Sequence, residues 1–203
     1  MKRTTNCKNP PKIVAIIGEG ITEWHYFNDL KHTEKYSFQI KPELPKHSDV
    51  EAIVCKALEL RAKGYDKILC LFDLDRIISD NTEKIKYVKY KKKYHNSKGK
   101  GNIFFYETMP CIEYWFILHF EQYSTRTYPN YESLKAILFK HLNNYEKSEK
   151  YLKRIKLYQT LIKQGNLSLA IDNAAKLLIE KQTNDNELFP YSEIHLLLNE
   201  LKK

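Results

Sequence analysis

Two aspartates one residue apart, Asp73 and Asp75, follow directly on the apolar run Ile68 to Phe72. Side chains alternate along a strand, so both carboxylates at such a strand end point one way and Leu74 the other. Two carboxylates held side by side repel unless a cation sits between them. Mg²⁺ suits the pair, because it is held by one or two carboxylates together with waters and substrate phosphates. The competing reading is a turn in which the aspartates cap and bend the backbone. Another acid, Glu19, lies between Gly18 and Gly20 after a further apolar run, Ile13 to Ile17. Glycines let the chain turn sharply there and let a large substrate approach. Glu23 stands four residues on, at a helix start, where the helix dipole alone would also favour a carboxylate.

The glycines around Glu19 do not make a nucleotide loop. No Gly-Lys-Ser/Thr follows them, as a P-loop requires. Glu23 occupies the third glycine's place of a dinucleotide fingerprint, and acids there would repel a pyrophosphate. Metalloprotease, serine-hydrolase and zinc-finger spacings are absent from the sequence. After the aspartates comes a basic stretch with Lys84, Lys86, Lys89, Lys91, Lys92, Lys93, Lys98 and Lys100, interleaved with Tyr87, Tyr90 and Tyr94. Lysines neutralise phosphates, and tyrosines stack on unpaired bases. The stretch reads as a substrate-binding helix beside the acids. The plain alternative is a solvated helix face with half-buried tyrosines.

Strands must end where these acids stand. Residues 12–17 and 67–72 are short, apolar and rich in β-branched residues, as strands buried on both faces of a parallel sheet are. Residues 36–40 alternate and predict a half-exposed strand, and residues 103–106 predict another. Between them the pattern predicts a helix near 23–31 capped by Thr22, and one opened by a Ser48–Glu51 capping box and ended by Gly64. A lysine-rich helix over 82–94 and a short apolar helix over 112–120 follow. Alternating strands and helices make a mostly parallel sheet, whose ligands bind beyond the carboxyl ends of the strands. After Glu121 come helical patterns at 131–144, 149–164 and 167–181, and a last helix opened by Pro190. Residues 1–11 read as a disordered leader, 12–121 as an α/β domain, and 122–203 as a helical extension packed on it.

The chain of 203 residues is long enough to bury roughly 70% of its unfolded surface. Its longest apolar run is far too short to cross a membrane, and no signal-peptide segment follows the basic N-terminus. A cytoplasmic protein with no membrane partner is expected. Cys7, Cys55, Cys70 and Cys111 are widely spaced, which excludes zinc-ribbon and C-x-x-C redox motifs. Cys55 and Cys70 sit in apolar patterns and are expected to be buried, without disulfides. The net charge of +9 favours a polyanionic partner, although solubility alone would also account for it.

Three stretches, in order, resemble the RloB-like family of the Toprim superfamily. Glu19-Gly20-Ile21-Thr22-Glu23 matches its E-G-x-T-E element, and Asp73-Leu74-Asp75-Arg76 its D-x-D-R element. The segment Met109 to Phe120 is similar to N-P-C-F-E-x-W-x-L-x-H-F, with Met109 and Ile112 among its departures. Pro190-Tyr191-Ser192 is a weaker likeness. The resemblance covers nearly the whole chain. It implies a Toprim-like α/β fold, as in bacterial primases, type IIA topoisomerases and the overcoming-lysogenization-defect nucleases. It also implies Glu19 as general acid or base, Asp73 and Asp75 as ligands of Mg²⁺ or Mn²⁺, and Glu23 as a ligand of a second metal. Such families accompany phage-defence and restriction-modification loci, often beside an ATPase partner; nothing in this chain encodes ATP binding.

Glu113 and His119 lie in the third stretch on an otherwise apolar helix, and a buried charge there needs a partner or a metal. Glu113 is then either a ligand or ligand support for a second metal, or a structural partner of Arg76 or a lysine. His119 reads as a satisfied core histidine. The expectation that follows is a metal-dependent nuclease acting on DNA or RNA, with Arg76 and the lysines on the substrate. One alternative is a nucleic-acid-binding subunit of a defence complex without activity of its own. Another keeps Toprim chemistry but nicks and rejoins strands or transfers nucleotides.

Overall fold

The computed structural model describes residues 12–96, 101–121 and 124–202. The expected leader and Lys98 and Lys100 lie outside these residues. Four parallel strands, β1 (Ile13–Ile17), β2 (Gln39–Glu43), β3 (Lys67–Asp73) and β4 (Ile103–Met109), form one sheet with a fifth, β5 (Tyr191–Ser192), antiparallel to β4. The order is β2-β1-β3-β4-β5. The apolar runs of β1 and β3 therefore occupy interior positions, and Val14 to Ile17 and Ile68 to Phe72 are buried.

Helix α1 (Ile21–Thr33) connects β1 to β2, and α2 (Val50–Ala62) leads back to β3. Right-handed crossovers in opposite directions put these two helices on opposite faces. After β3 come α3 (Leu74–Ser79) and α4 (Asn81–Tyr94), the latter packed beside α2. Past β4 follow α5 (Ile112–Ile117), α6 (Tyr131–His141), α7 (Glu149–Ile155), α8 (Leu157–Gln164), α9 (Leu167–Lys181) and α10 (Ile194–Glu200). Helix α8 packs on α1, while α5 contacts α6 and α9. Among the described residues no helix is long and apolar enough to cross a membrane.

The structure corrects several local expectations. The second strand starts at Gln39, because Tyr36 and Phe38 turn their rings together at 5.3 Å instead of alternating. Pro42 is tolerated within β2 because that strand is an edge. Gly20, not Thr22, caps α1; Thr22 is inside the first turn and buried. Asp49 replaces Ser48 as the cap of α2, accepting from the Ala52 N–H at 2.9 Å. The pattern over 149–164 breaks into α7 and α8 at Lys156, whose φ of 48° is left-handed. Cys55 is exposed, whereas Cys70 and Cys111 are buried.

Pro190 does not open a helix. Tyr191 and Ser192 extend instead to seal the edge of β4, and α10 starts at Ile194. The stretch after residue 121 thus supplies a strand as well as helices. Glu107 of β4 fastens it, accepting from the hydroxyls of Tyr191 (2.5 Å) and Tyr87 and pairing with Lys91. Burial pushes the Glu107 carboxyl up, but Lys91 and the two hydroxyls outweigh it and hold it below the ordinary range.

Candidate active site

The acids converge beyond the carboxyl ends of β1, β3 and β4. Strand β1 is followed by Gly18-Glu19-Gly20. A Cβ on Gly18 would lie 2.2 Å from the Glu23 Cβ, so only glycine lets α1 start this close to the strand. Glu19 Oε1 accepts the Asp73 N–H at 3.0 Å and ties the tips of β1 and β3 together. Glu23 is buried in the first turn of α1, its Oε2 accepting the Gly20 N–H at 2.8 Å. Asp73 Oδ1 accepts from the Thr108 hydroxyl (2.8 Å) and the Ile112 N–H (3.0 Å), and so is fixed by β4 and α5.

Asp75 arrives differently from the sequence-based expectation. Strand β3 stops at Asp73, and Asp75 sits in the first turn of α3, so strand alternation does not place the pair. Its own N–H donates to the Pro110 carbonyl at 3.1 Å, and its carboxylate accepts from the Arg76 N–H at 2.7 Å. Arg76 is exposed at the mouth; its Nη1 donates to Ser48 Oγ at 2.6 Å and lies 3.6 Å from Glu19 Oε2. A cleft of about 220 Å³ opens there between Glu19, Ser48, Arg76, Asp80 and Glu83.

Glu113 on α5 is wholly buried. Its partner is a lysine and not Arg76: Oε1 lies 3.0 Å from Lys147 Nζ and accepts from the Tyr145 hydroxyl at 2.9 Å. Its Oε2 has no hydrogen-bond partner. Crowding shows in the titration of the cluster. Burial and then the neighbouring Glu23 raise Glu19 to about 8, against the pull of the Asp73 N–H. Burial and then Glu113 raise Glu23 to about 7. Asp73 is pushed well above the carboxylate range by burial, Glu23 and Glu19, and Asp75 is raised by burial. Burial would lower Lys147, but Glu113 outweighs it and the amine is raised.

Among the described residues no three His, Cys, Asp or Glu side chains already converge at metal-ligand distance. The donor chemistry nevertheless fits a hard divalent cation, since Mg²⁺ asks for only one or two carboxylates. The cluster offers anionic oxygens short of compensating charge. Larger clefts exist, one of about 410 Å³ between Lys12, Phe38, Asp66 and Lys67. That one lies at the amino ends of the strands, where open α/β sheets do not bind their ligands.

The lysine helix reaches the cleft with its cap Asp80 and first-turn Glu83, and its lysines point to other partners or to solvent. Lys84 pairs with Glu187, Lys86 with Glu51 and Glu83, and Lys91 with Glu107. Lys89, Lys92 and Lys93 are exposed, but α4 runs back along the sheet. Asn96 donates to the Ile103 carbonyl at the amino end of β4, so the last turn of α4 lies at the edge opposite the acids. Tyr87 is buried, and Tyr90 and Tyr94 stack on each other at 6.1 Å. Lys147, Tyr145 and Thr108 join the site without having been singled out in the sequence. The signal within reach was Asn143-Asn144, a turn-forming pair that returns the chain between two helices.

His119 is buried, with Nδ1 2.9 Å from the Trp115 carbonyl and Nε2 unpartnered. Protonation would add a second N–H with no acceptor, and burial lowers its pKa to about 4. The unfolded chain, near 6.5, binds the proton first as pH falls, so this contribution to stability is present above 6.5 and is lost on acidification. The stability margin of the wild type over His119→Leu should therefore shrink by about 1.4 kcal/mol per pH unit between 6.5 and 4. Denaturant titrations of both proteins at stepped pH measure it, and a constant margin would show that His119 takes up its proton equally in the folded and unfolded states.

Neither a curated protein nor a solved structure matches the chain. A family model described as RloB-like protein matches residues 14–201, from β1 to α10 and through every acid of the cluster. The chain belongs to the RloB-like protein family.

Proposed function

We propose that the chain is a metal-dependent nuclease of DNA or RNA phosphodiesters, working in phage defence or restriction. The observation that carries the reading is the meeting of Glu19, Asp73 and Asp75, from three elements, at the carboxyl edge of the sheet. Asp73 and Asp75 would hold Mg²⁺ or Mn²⁺. Bound there, the ion would polarise the phosphate and offset charge developing on it.

The remaining work belongs to the protein. Arg76, exposed beside Glu19, is placed to orient a phosphate in the cleft. Glu19, with its pKa near neutrality, is suited to move a proton to or from the attacking or leaving oxygen. Thr108 and the Ile112 N–H keep Asp73 pointed at the cluster. Exposed Lys89, Lys92 and Lys93 support the alternative of a binding subunit, because they offer phosphate contacts far from the acids. An ATPase partner rests on the family resemblance.

Calorimetric titration with Mn²⁺ separates the two readings. The wild type should bind Mn²⁺, and Asp73→Asn/Asp75→Asn should not. If the wild type stays silent even with an oligonucleotide present to complete the coordination, the binding-subunit reading replaces this one.

A further inference from the structure

Lys147 is held in place more firmly than a surface lysine requires. After α6 the chain turns at Asn144, whose φ of 54° is left-handed. Tyr145 returns to the core and donates its hydroxyl to Glu113, and Ser148 caps α7 by accepting the Tyr151 N–H. Lys147 sits between these two anchors. Its Nζ reaches Glu113 Oε1 at 3.0 Å and lies 4.1 Å from the centre of the Tyr131 ring. The side chain is 39% exposed and that of Glu113 is 0% exposed, so the ammonium enters the cluster from its solvent side.

The charges fall into two groups. Glu113 and Glu23 are both buried and act on each other, and the nearby positive charge acting on both is Lys147. Glu113 Oε2, buried and without a partner, is an acceptor left open beside them. Glu19, Asp73 and Asp75 form the other group, with the exposed Arg76 beside Glu19 and the Lys147 charge reaching Asp73 and Asp75 from farther off. A pair of buried carboxylates is neutralised either by a shared proton or by nearby positive charge, and two-metal phosphodiesterase sites supply that charge with a second ion. Resting on the metal-binding reading of this cluster, we propose that the Lys147 ammonium holds the place of a second cation, so that the site takes one divalent ion. Lys147 is then a positioning residue: it fixes Glu113 and Glu23 and limits the stoichiometry.

The test is Mn²⁺ calorimetry combined with thermal melting on the full chain, for wild type, Lys147→Arg and Lys147→Met. The expected result is one Mn²⁺ on the wild type and on Lys147→Arg, and two on Lys147→Met, the second on Glu23 and Glu113. Lys147→Met should melt below the wild type in chelator, and Mn²⁺ should raise its melting temperature by more than it raises the wild type's. Two ions on the wild type or on Lys147→Arg overturn the proposal. So does a single ion on Lys147→Met with an unchanged thermal gain, and so does a Lys147→Met chain that Mn²⁺ cannot refold. No Mn²⁺ on the wild type at all, oligonucleotide included, removes the metal-binding reading itself, which the one-ion result on Lys147→Met would leave standing.

Discussion

Glu19→Gln should retain Mn²⁺ and nucleic-acid binding while losing cleavage by about 10²- to 10⁴-fold, the usual contribution of a positioned acid or base. The substitution is nearly isosteric. A glutamine Oε1 can still accept the Asp73 N–H that Glu19 takes at 3.0 Å, so the tips of β1 and β3 stay joined. What disappears is a titrating proton, held near neutrality by burial. Single-turnover cleavage of a substrate cut by the wild type, at saturating Mn²⁺, reads the effect directly. A Glu19→Gln rate equal to the wild type's would strip Glu19 of the proton-transfer role. Binding that survives in both proteins, with cleavage in neither, would favour the binding subunit.

Gly18→Ala should damage fold and site together. The new methyl carbon would fall 2.2 Å from the Glu23 Cβ and 2.6 Å from its Cγ. The first of these atoms is carried by the helix backbone and cannot swing aside. Helix α1 would have to retreat, yet its Tyr26, Phe27 and Leu30 are packed to 1% exposure or less. Overpacking of this kind costs about 3 kcal/mol, which lowers the melting temperature of a chain this size by roughly 6–12 °C. Glu19 moves with the displaced turn and lets go of the Asp73 N–H, so the seat of Asp73 loosens and Mn²⁺ affinity should fall with it. Thermal melts and calorimetry on the same preparation check both. An unchanged melting temperature would mean that the turn has slack the structure does not show.

What could be read from the sequence was what depends on nearby residues. The apolar runs of β1 and β3 announce interior strands because burial on both faces leaves no polar positions. Glu19, Glu23 and the aspartates were legible for the same reason, standing immediately after those runs. Asp75 was identified but its setting was misread, since nothing local says that a strand becomes a helix after Asp73. Adjacent cap formers misled in the same way: Ser48 and Asp49 compete, and the outcome depends on Arg76 drawing the serine hydroxyl away. Lys147 was invisible, because its meaning comes from Glu113, more than thirty positions earlier. The lysine helix shows the converse, for closeness in sequence to Asp73 was undone by a helix that travels the length of the sheet.

The short strand β5 bears on how the protein is made. β4 carries Thr108, which steadies Asp73, and its outer edge is closed only when Tyr191 and Ser192 pair with it. Those residues leave the ribosome after the whole run of helices α5 to α9, a delay of the order of ten seconds at roughly 5–20 residues per second. Until then the nascent sheet has an open border and Glu107 lacks the Tyr191 hydroxyl. The acidic edge therefore gains its final support only after Tyr191 and Ser192 have emerged, which ties the appearance of a finished site to a segment made about eighty residues after β4.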